Sequence, residues 1–295
     1  MRVALFASGG DIPMAALRAL GPVAEVAAII RPGPARGLVP LLRGVARRVL
    51  RGAAPPDPLA TMADTLGIPQ RAMHGPADTT LAPFLRDLRP DVACVATFAW
   101  RLRPEVLLAP RLGTINVHAS LLPRHRGPNP WFWTYYHDDR ETGVTVHSCA
   151  EAIDTGAILG QARWPLERGY PVASLHHEVA EHGAQLLVEH LASMASGADR
   201  AVAQDDARAT YAGRVAPGRS MVDFGWPVER VWHFLAGLAG QFHEPLRCDG
   251  QPVRYRAVPG FESIAPQGGP GSVERYQGRW RLWCRDGYVL LEPSA

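Results

Sequence analysis

The first half of the chain alternates short apolar runs with segments whose apolar residues recur at helical spacing. This order predicts a mainly parallel sheet connected by right-handed helical crossovers. The predicted strands are Arg2–Ala7, Val23–Ile30, Pro69–Met73 and Asp91–Thr97. The predicted helices are Ile12–Leu20, Asp57–Leu66 and Thr80–Leu88.

The alternation Ile115-Asn116-Val117-His118 predicts the end of a further buried strand. Successive side chains of a strand point to opposite faces, so Asn116 and His118 share one face while Ile115 and Val117 share the other. Binding residues gather at the carboxyl ends of strands in open α/β sheets. Two polar side chains on one face at this position therefore indicate a site.

The pattern changes in the second half of the chain. Gly143–Cys149 and Ala157–Trp164 predict a hairpin-like pair, and Ser174–Ala195 predicts a long amphipathic helix. After a polar stretch, Val228–Leu238 predicts a helix, and the Asp286-Gly287 dipeptide is typical of a hairpin turn. Further short strands are predicted at Pro252–Ala257, Gly271–Tyr276, Trp280–Cys284 and Gly287–Leu291.

These elements predict an α/β protein in two domains. Residues 1–200 form a Rossmann-like, mostly parallel sheet domain, and residues 218–295 form a small β-barrel-like domain of the OB type. Residues 201–217 are predicted to be the linker because the apolar pattern breaks down there.

Composition narrows the class of protein. The chain of 295 residues is 47% hydrophobic and 20% charged, as in ordinary globular proteins, and carries a formal charge of +3. It contains no lysine, which excludes Schiff-base and P-loop lysine mechanisms. The four cysteines lack metal-ligand spacing, so we predict neither a metal site nor disulfides. No apolar run reaches the roughly 20 residues of a membrane helix, and no signal peptide is recognised, so a cytoplasmic location is expected.

Asp154 joins Asn116 and His118 as a third candidate for one pocket. An amide donates to an oxygen that becomes negative as a carbonyl turns tetrahedral. An imidazole donates to that oxygen when protonated, or accepts a proton from a nucleophile when neutral. A carboxylate orients the imidazole and relays protons. Taken singly, the Asn-x-His pair is also consistent with a satisfied polar pair, and Asp154-Thr155-Gly156 with an ordinary loop entry.

In combination, Asn116-x-His118, the run Ser120-Leu121-Leu122-Pro123-x-x-Arg126-Gly127 and Asp154-Thr155-Gly156 resemble the signature of the 10-formyltetrahydrofolate-dependent formyltransferases. The resemblance covers nearly the whole chain, including a C-terminal region similar to that of tRNA formyltransferases. It implies that Asn116 and His118 polarise the formyl group and that Asp154 assists proton transfer. It also implies that 10-formyltetrahydrofolate binds along Phe98, Ala99, Trp100, Arg101 and Leu102, and along Ser120, Leu121, Leu122 and Pro123.

Beside this signature, the chain departs from the tRNA-type pattern. Methionyl-tRNA formyltransferases usually carry Arg-Gly-Ala-Ala-Pro-Ile-Gln after the Leu-Leu-Pro run, where this chain has Arg126-Gly-Pro-Asn-Pro-Trp-Phe-Trp133. Gly240–Pro245 also replaces the usual Asn-Pro-x-Pro-Gly stretch. Both departures favour a small amine acceptor, such as a nucleotide-linked amino sugar or an ornithine derivative, with methionyl-tRNA as the alternative. Arg126, Asn129 and Trp131 are the expected acceptor-binding residues, unless the aromatic residues simply pack the start of a helix.

The segment Arg31–Arg51 contains six arginines and no acidic residue. Apolar residues recur at helical spacing within it, which predicts an amphipathic helix with a basic face. Such a face suits a phosphorylated acceptor, either a nucleotide-sugar pyrophosphate or a tRNA stem, and equally suits a solvated helix that covers the sheet.

Two other classes of function remain as alternatives. A formyltetrahydrofolate hydrolase uses a related Asn-His-Asp site, but usually carries an N-terminal regulatory domain ahead of the first strand. A non-catalytic folate- or RNA-binding module has no need of all three polar groups together. The oligomeric state is not predicted.

Overall fold

The computed structural model describes residues 1–33, 57–198, 200–215, 222–241, 246–248 and 251–294. The helices are α1 (Asp11–Leu20), α2 (Pro58–Thr65), α3 (Leu81–Leu88), α4 (Pro104–Leu107), α5 (Pro130–Tyr136), α6 (Val172–Ser196) and α7 (Val228–Gly237). The strands of the first sheet are β1 (Arg2–Ala7), β2 (Glu25–Pro32), β3 (Gln70–Met73), β4 (Val92–Ala96), β5 (Thr114–His118), β6 (Glu141–Ser148) and β7 (Ile158–Pro165). The later strands are β8 (Leu246–Cys248), β9 (Gln251–Val253), β10 (Tyr255–Glu262), β11 (Val273–Tyr276), β12 (Arg279–Cys284) and β13 (Gly287–Pro293).

The first sheet has seven strands in the order β3-β2-β1-β4-β5-β6-β7. The five strands β1 to β5 pair in parallel, and β6 runs antiparallel to β5. The Ser148 amide donates to the carbonyl of Ala157 at 2.9 Å, where the loop between β6 and β7 closes. The mostly parallel, Rossmann-like sheet predicted from the sequence is confirmed, and the order of strands reverses direction at β1 and β4.

Both faces of the central strands are covered, which is why these strands are apolar throughout. Val3, Ala4, Leu5 and Phe6 are all fully buried on β1. Ala4 and Phe6 belong to a core cluster that includes residues of α3 and α4. On β5, Val117 faces α6, where Gly183 leaves no room for a Cβ, since that atom would lie 2.7 Å from Val117 Cγ1. The side chains of Asn116 and His118 consequently lie on the face away from α6.

The chain forms two compact units. The first comprises residues 1–126, 143–163 and 176–211, and the second comprises residues 127–142, 164–175 and 212–295. The described part of the second unit contains a four-stranded antiparallel sheet, in the order β10-β13-β12-β11, and a two-stranded ladder of β8 and β9. This confirms a separate small β region. Closure into a barrel and the predicted domain limits at residues 200 and 218 stay predictions.

The structure adds elements that the sequence patterns did not predict. These are the short helix α4 and the strand β8, while the helix α5 after Asn129 had been given only as the alternative for its aromatic residues. The predicted strand Pro252–Ala257 is divided at Arg254 between β9 and β10, and β10 continues to Glu262. Most of the Arg31–Arg51 segment lies outside the described residues. Arg31 itself lies in β2, one residue before its end, and forms an ion pair with Asp57.

None of the helices that the structure describes has the length and apolar character needed to traverse a bilayer. Within the same parts of the chain, no three or more His, Cys, Asp or Glu side chains are grouped so as to hold a metal ion. Cys94, Cys149, Cys248 and Cys284 are free thiols.

Candidate active site

The structure brings Asn116, His118 and Asp154 together in the first unit. Asp154 Oδ2 lies 3.5 Å from His118 Nδ1, and Asp154 Oδ1 lies 3.5 Å from Asn116 Nδ2. His118 is 6% exposed and the carboxylate side chain is 12% exposed, so water screens these contacts poorly. The three groups that the sequence analysis predicted to lie together are therefore neighbours, with Asp154 next to both of the others.

Asp154 reaches the strand because its loop, residues 149–157, folds back against β6. Asp154 has a φ of +56°, a left-handed conformation that Asp tolerates better than most residues. Gly156 lies so close to β6 that a Cβ would stand 1.8 Å from the carbonyl oxygen of Ser148. Glycine is required at that position for the loop to approach the strand, which explains the Asp-Thr-Gly sequence.

Replacing Gly156 by alanine tests this close approach. We expect the loop to be pushed from β6, with a loss of about 1–3 kcal/mol in the free energy of unfolding, as for overpacked cores. Gly160→Ala is the matched control, because its Cβ meets only Leu186 Cδ2 at 3.4 Å. Urea unfolding of both variants is the measurement. Equal stabilities for the two variants would show that the loop is not held against the strand.

The hydrogen bonds of His118 define which ring nitrogen carries the proton. Its Nε2 lies 2.9 Å from the carbonyl oxygen of His125, which only accepts, so Nε2 is the donor. Burial lowers the pKa of His118, while the carboxylate of Asp154 opposes this shift by stabilising the imidazolium. The neutral ring therefore presents an unprotonated Nδ1 on the Asp154 side, where it is able to accept a proton.

His147 is a member of the site that the sequence analysis missed. It stands opposite Asn116 in the register of β5 and β6 and is 1% exposed. Its Nδ1 lies 2.8 Å from the Ser148 carbonyl and donates to it, which leaves Nε2 to accept from Asn116 Nδ2 at 3.0 Å. The ring thus fixes the orientation of the Asn116 amide. The available signal was the polar alternation Thr145-Val146-His147 on β6.

The predicted run Ser120–Pro123 is held by β6 and β7. Thr145 Oγ1 donates to the Ser120 carbonyl at 2.6 Å and accepts from the Leu122 amide at 3.1 Å. Gln161 Nε2 donates to the Leu122 carbonyl at 2.8 Å. Ser120 Oγ donates to the Arg124 carbonyl at 2.7 Å, so this hydroxyl has a structural partner. These hydrogen bonds hold the backbone of residues 120–123 in place directly after His118.

The loop 98–102 follows β4 on the same face of the sheet as Asn116. Phe98 packs edge-on against Phe6, with ring centroids 5.3 Å apart. Arg101 donates to the Glu151 carbonyl at 2.6 Å, which ties this loop to the loop that carries Asp154. Trp100 Nε1 is buried without a hydrogen-bond partner in the part of the chain that the structure describes.

No activated thiol accompanies these groups among the described residues. Cys149 begins the Asp154 loop, and burial, together with the Asp154 carboxylate, raises the pKa of its thiol to about 12. A thiol with such a pKa stays protonated at neutral pH and is a poor nucleophile. The chemistry of the site consequently rests on an amide, imidazoles and a carboxylate.

The three residues predicted to bind the acceptor have different surroundings. Arg126 belongs to the first unit, where its guanidinium binds Gln204 and Asp206. Asn129 and Trp131 belong to the second unit, at the start of α5. The Asn129 amide lies between the Pro128 carbonyl and the Val215 amide. Their role in binding stays a prediction.

Comparison with known proteins decides the family. Residues 49–191 match the family model described as formyl transferase. The chain is 31% identical over 274 residues to methionyl-tRNA formyltransferase of Bradyrhizobium sp. (strain BTAi1), covering 90% of this chain and 82% of that protein. It is 37% identical over 206 residues to the enzyme of the same name from Phenylobacterium zucineum, covering 69% and 67%. The chain belongs to the formyltransferase family.

Solved formyltransferase structures share this fold. An N-formyltransferase from Helicobacter canadensis, crystallised with folinic acid and dTDP-3-aminofucose, superposes with a TM-score of 0.71 at 13% identity, covering 100% of this chain and 99% of that one. WlaRD, a sugar 3N-formyltransferase, gives a TM-score of 0.69 at 13% identity, covering 99% and 97%. At such identities the likeness establishes the formyltransferase fold and nothing finer.

Proposed function

We propose that this formyltransferase moves a formyl group from 10-formyltetrahydrofolate to the amine, or hydroxylamine, of a small specialised acceptor. The observation that supports this reaction is that Asp154 lies 3.5 Å from both Asn116 and His118, on the polar face of β5. Such a set serves acyl transfer in which the substrate itself supplies the nucleophile, because the thiol that begins the Asp154 loop, Cys149, has a raised pKa and is a poor nucleophile.

Asn116 stabilises the negative charge that forms on the formyl oxygen as the amine attacks. One of its two amide hydrogens is engaged by His147 at 3.0 Å. The other faces Asp154 Oδ1 at 3.5 Å, the outer limit of a hydrogen bond, and is available to a substrate oxygen. His147 fixes this amide in advance, so little reorganisation is needed when the charge develops.

His118 accepts the proton that the attacking amine must lose. Its Nδ1 lone pair is free in the neutral tautomer set by the His125 carbonyl. Proton transfer converts the ring to an imidazolium, and Asp154 Oδ2, 3.5 Å away, stabilises that positive charge. The same proton can then return to the nitrogen of the departing carrier. The proton therefore cycles through one imidazole without a covalent intermediate on the protein.

The described residues fit a pterin ring along loop 98–102. The buried Nε1 of Trp100 is a donor left without a partner there, and buried polar groups are normally hydrogen-bonded. When bound, the folate supplies the formyl group. Residues 120–123 are the proposed opposite wall of the binding site.

The acceptor proposal rests on the sequence that follows the Leu-Leu-Pro run along the chain. The Pro128–Trp133 stretch replaces the tRNA-type pattern with aromatic residues and with Asn129. Asn129 and Trp131 of this stretch are the proposed acceptor contacts, while Trp133 Nε1 donates to the Gly213 carbonyl at 2.7 Å. A nucleotide-linked amino sugar offers a primary amine, and an N-hydroxylated ornithine offers a hydroxylamine.

Methionyl-tRNA is the second candidate acceptor. Sequence relatives with 31% and 37% identity are methionyl-tRNA formyltransferases, and the chain spans 82% and 67% of their lengths. The basic Arg31–Arg51 segment suits either a tRNA stem or a pyrophosphate group.

A screen of acceptors by mass spectrometry separates these candidates. The protein is incubated with 10-formyltetrahydrofolate and, in parallel, with a dTDP-amino sugar, an N-hydroxyornithine or methionyl-tRNA. We expect one of the two small acceptors to gain a formyl group with a kcat/KM at least about tenfold above that of methionyl-tRNA, a difference of about 1.4 kcal/mol. A preference for methionyl-tRNA would overturn the acceptor proposal and leave the reaction class in place.

A further inference from the structure

Residues 202–211, which the sequence marked as linker, form a structured segment of the first unit that we call the brace. Val202 exchanges two backbone hydrogen bonds with Ile158, both of 2.8 Å. Tyr211, at the other end, bridges to Arg126. Both ends of the brace are therefore attached to the unit that contains the candidate site.

Gln204 of the brace binds the backbone that carries Asp154. Its Nε2 donates to the Asp154 carbonyl at 2.9 Å and to the Gly156 carbonyl at 2.7 Å. These two bonds hold the loop on both sides of Thr155 while Asp154 keeps its left-handed φ of +56°. Gln204 thus holds the backbone on both sides of the carboxylate's own loop tip, in addition to the bond from Arg101 to Glu151.

Arg126 fixes the orientation of that amide. Its Nε and Nη2 donate to Gln204 Oε1 at 3.0 and 2.8 Å, and Nη2 also donates to Asp206 Oδ1 at 2.7 Å. Because arginine only donates, Gln204 must turn its oxygen to Arg126 and its nitrogen to the loop. The Arg126 side chain is 11% exposed, which favours a positioning role over direct contact with the acceptor.

The far end of the brace supports His118. Thr210 Oγ1 accepts from the His125 amide at 2.8 Å, and the Thr210 amide donates to the Pro123 carbonyl at 3.2 Å. The carbonyl of the same His125 accepts from His118 Nε2 at 2.9 Å. Thr210 therefore holds the residue whose carbonyl sets the tautomer of the imidazole.

We propose that the brace aligns the carboxylate of Asp154 with the imidazole of His118, with Gln204 and Thr210 as positioning residues. The proposal rests on the proposed function, since it concerns the same two groups. A displacement of about 1 Å costs on the order of 10²-fold in rate when it misaligns reacting groups. The brace would thus align two groups that come from different elements, the loop of Asp154 and the strand β5 of His118.

Two substitutions at Gln204 distinguish its bond with Arg126 from its bonds to the loop that carries Asp154. Gln204→Glu keeps an oxygen for Arg126 and loses the donor to the loop, and Gln204→Met loses both. We expect both to lower kcat about 10–100-fold, as for other supporting residues, with an unchanged KM for the acceptor. Gln185→Met, on the exposed face of α6, is the matched control and should behave as wild type. A loss in Gln204→Met alone would place the effect at Arg126 and overturn the alignment proposal.

Thr210 provides a second test by conservative rescue. Thr210→Ser keeps the hydroxyl that accepts from the His125 amide, whereas Thr210→Val keeps the shape and removes it. We expect Thr210→Ser to retain wild-type kcat and Thr210→Val to lose about tenfold or more, as for other supporting residues. Equal activities of the two variants would contradict the role of Thr210.

Titration of the His118 ring by NMR tests alignment without requiring turnover. The groups that face this ring are Asp154 from the loop after β6, His147 from β6 and His125 from the following segment. If Gln204→Met moves the carboxylate away, the pKa of His118 falls, and Gln185→Met leaves it unchanged. An unchanged pKa in Gln204→Met would overturn the proposal. Absence of formyl transfer by the wild type would instead count against the proposed function, and the titration would still decide on the brace.

Discussion

Replacing Asn116 by alanine is expected to lower kcat for formyl transfer about 10²–10³-fold, the usual cost of removing one donor to a developing oxyanion. The donor is one amide hydrogen on β5, and His147 holds the other at 3.0 Å. KM for either substrate should change little, because the charge on the formyl oxygen exists only in the transition state. Steady-state kinetics with purified protein is the measurement.

Asn116→Asp sharpens this test, because it conserves the size of the side chain and removes both donors. It should lose as much activity as Asn116→Ala, while thermal unfolding confirms that each variant is folded. Activity near that of wild type in either variant would remove Asn116 from the reaction.

Replacing Asp154 by asparagine is expected to lower kcat about 10²–10⁴-fold, the range for general acid–base catalysis, and also to change the pH profile. The Asp154 carboxylate raises the pKa of His118 against the lowering effect of burial. Without the carboxylate the pKa of His118 falls further. Since the neutral ring is the active base, the acid limb of the profile moves to lower pH, and the maximal rate falls because the imidazolium loses its counter-charge.

A matched control is Asp64→Asn, which neutralises an exposed carboxylate on α2 that contacts Gln70. This variant should keep both the rate and the pH profile of wild type. An alkaline limb that moves to lower pH in Asp154→Asn would mean that the protonated imidazole is the active form, and that His118 acts by donation to the oxygen.

Local periodicity was sufficient to predict the sheet and the common face of Asn116 and His118. The apolar runs of β1, β2 and β4 indicate strands that are buried on both faces. The alternation on β5 indicates a strand with one polar face. Asn116 and His118 follow from that alternation alone. Asp154 was a candidate by its residue type, and the resemblance supported it, because its approach to the strand depends on Gly156 and on the fold of the loop.

His147 and the brace depend on pairing between distant segments, which local patterns do not encode. His147 acts through its register opposite Asn116, and strand register is a property of the assembled sheet. Residues 202–211 have the polar composition of a linker, and only the structure shows Gln204 bound to the Asp154 loop. The helix α5 was predicted only as the alternative to acceptor binding, in which its aromatic residues pack the start of a helix.

The most direct test of the account is a single-turnover reaction with 10-formyltetrahydrofolate that carries a ¹³C label in the formyl carbon. The account predicts that the label appears in a formamide, or an N-hydroxyformamide, of the added amine only when that amine is present, and that Asn116→Ala abolishes most of this transfer. Release of labelled formate at the same rate with or without an amine would contradict it and identify a hydrolase. Label that remains on the folate with every acceptor, while the folate is bound, would identify a binding module.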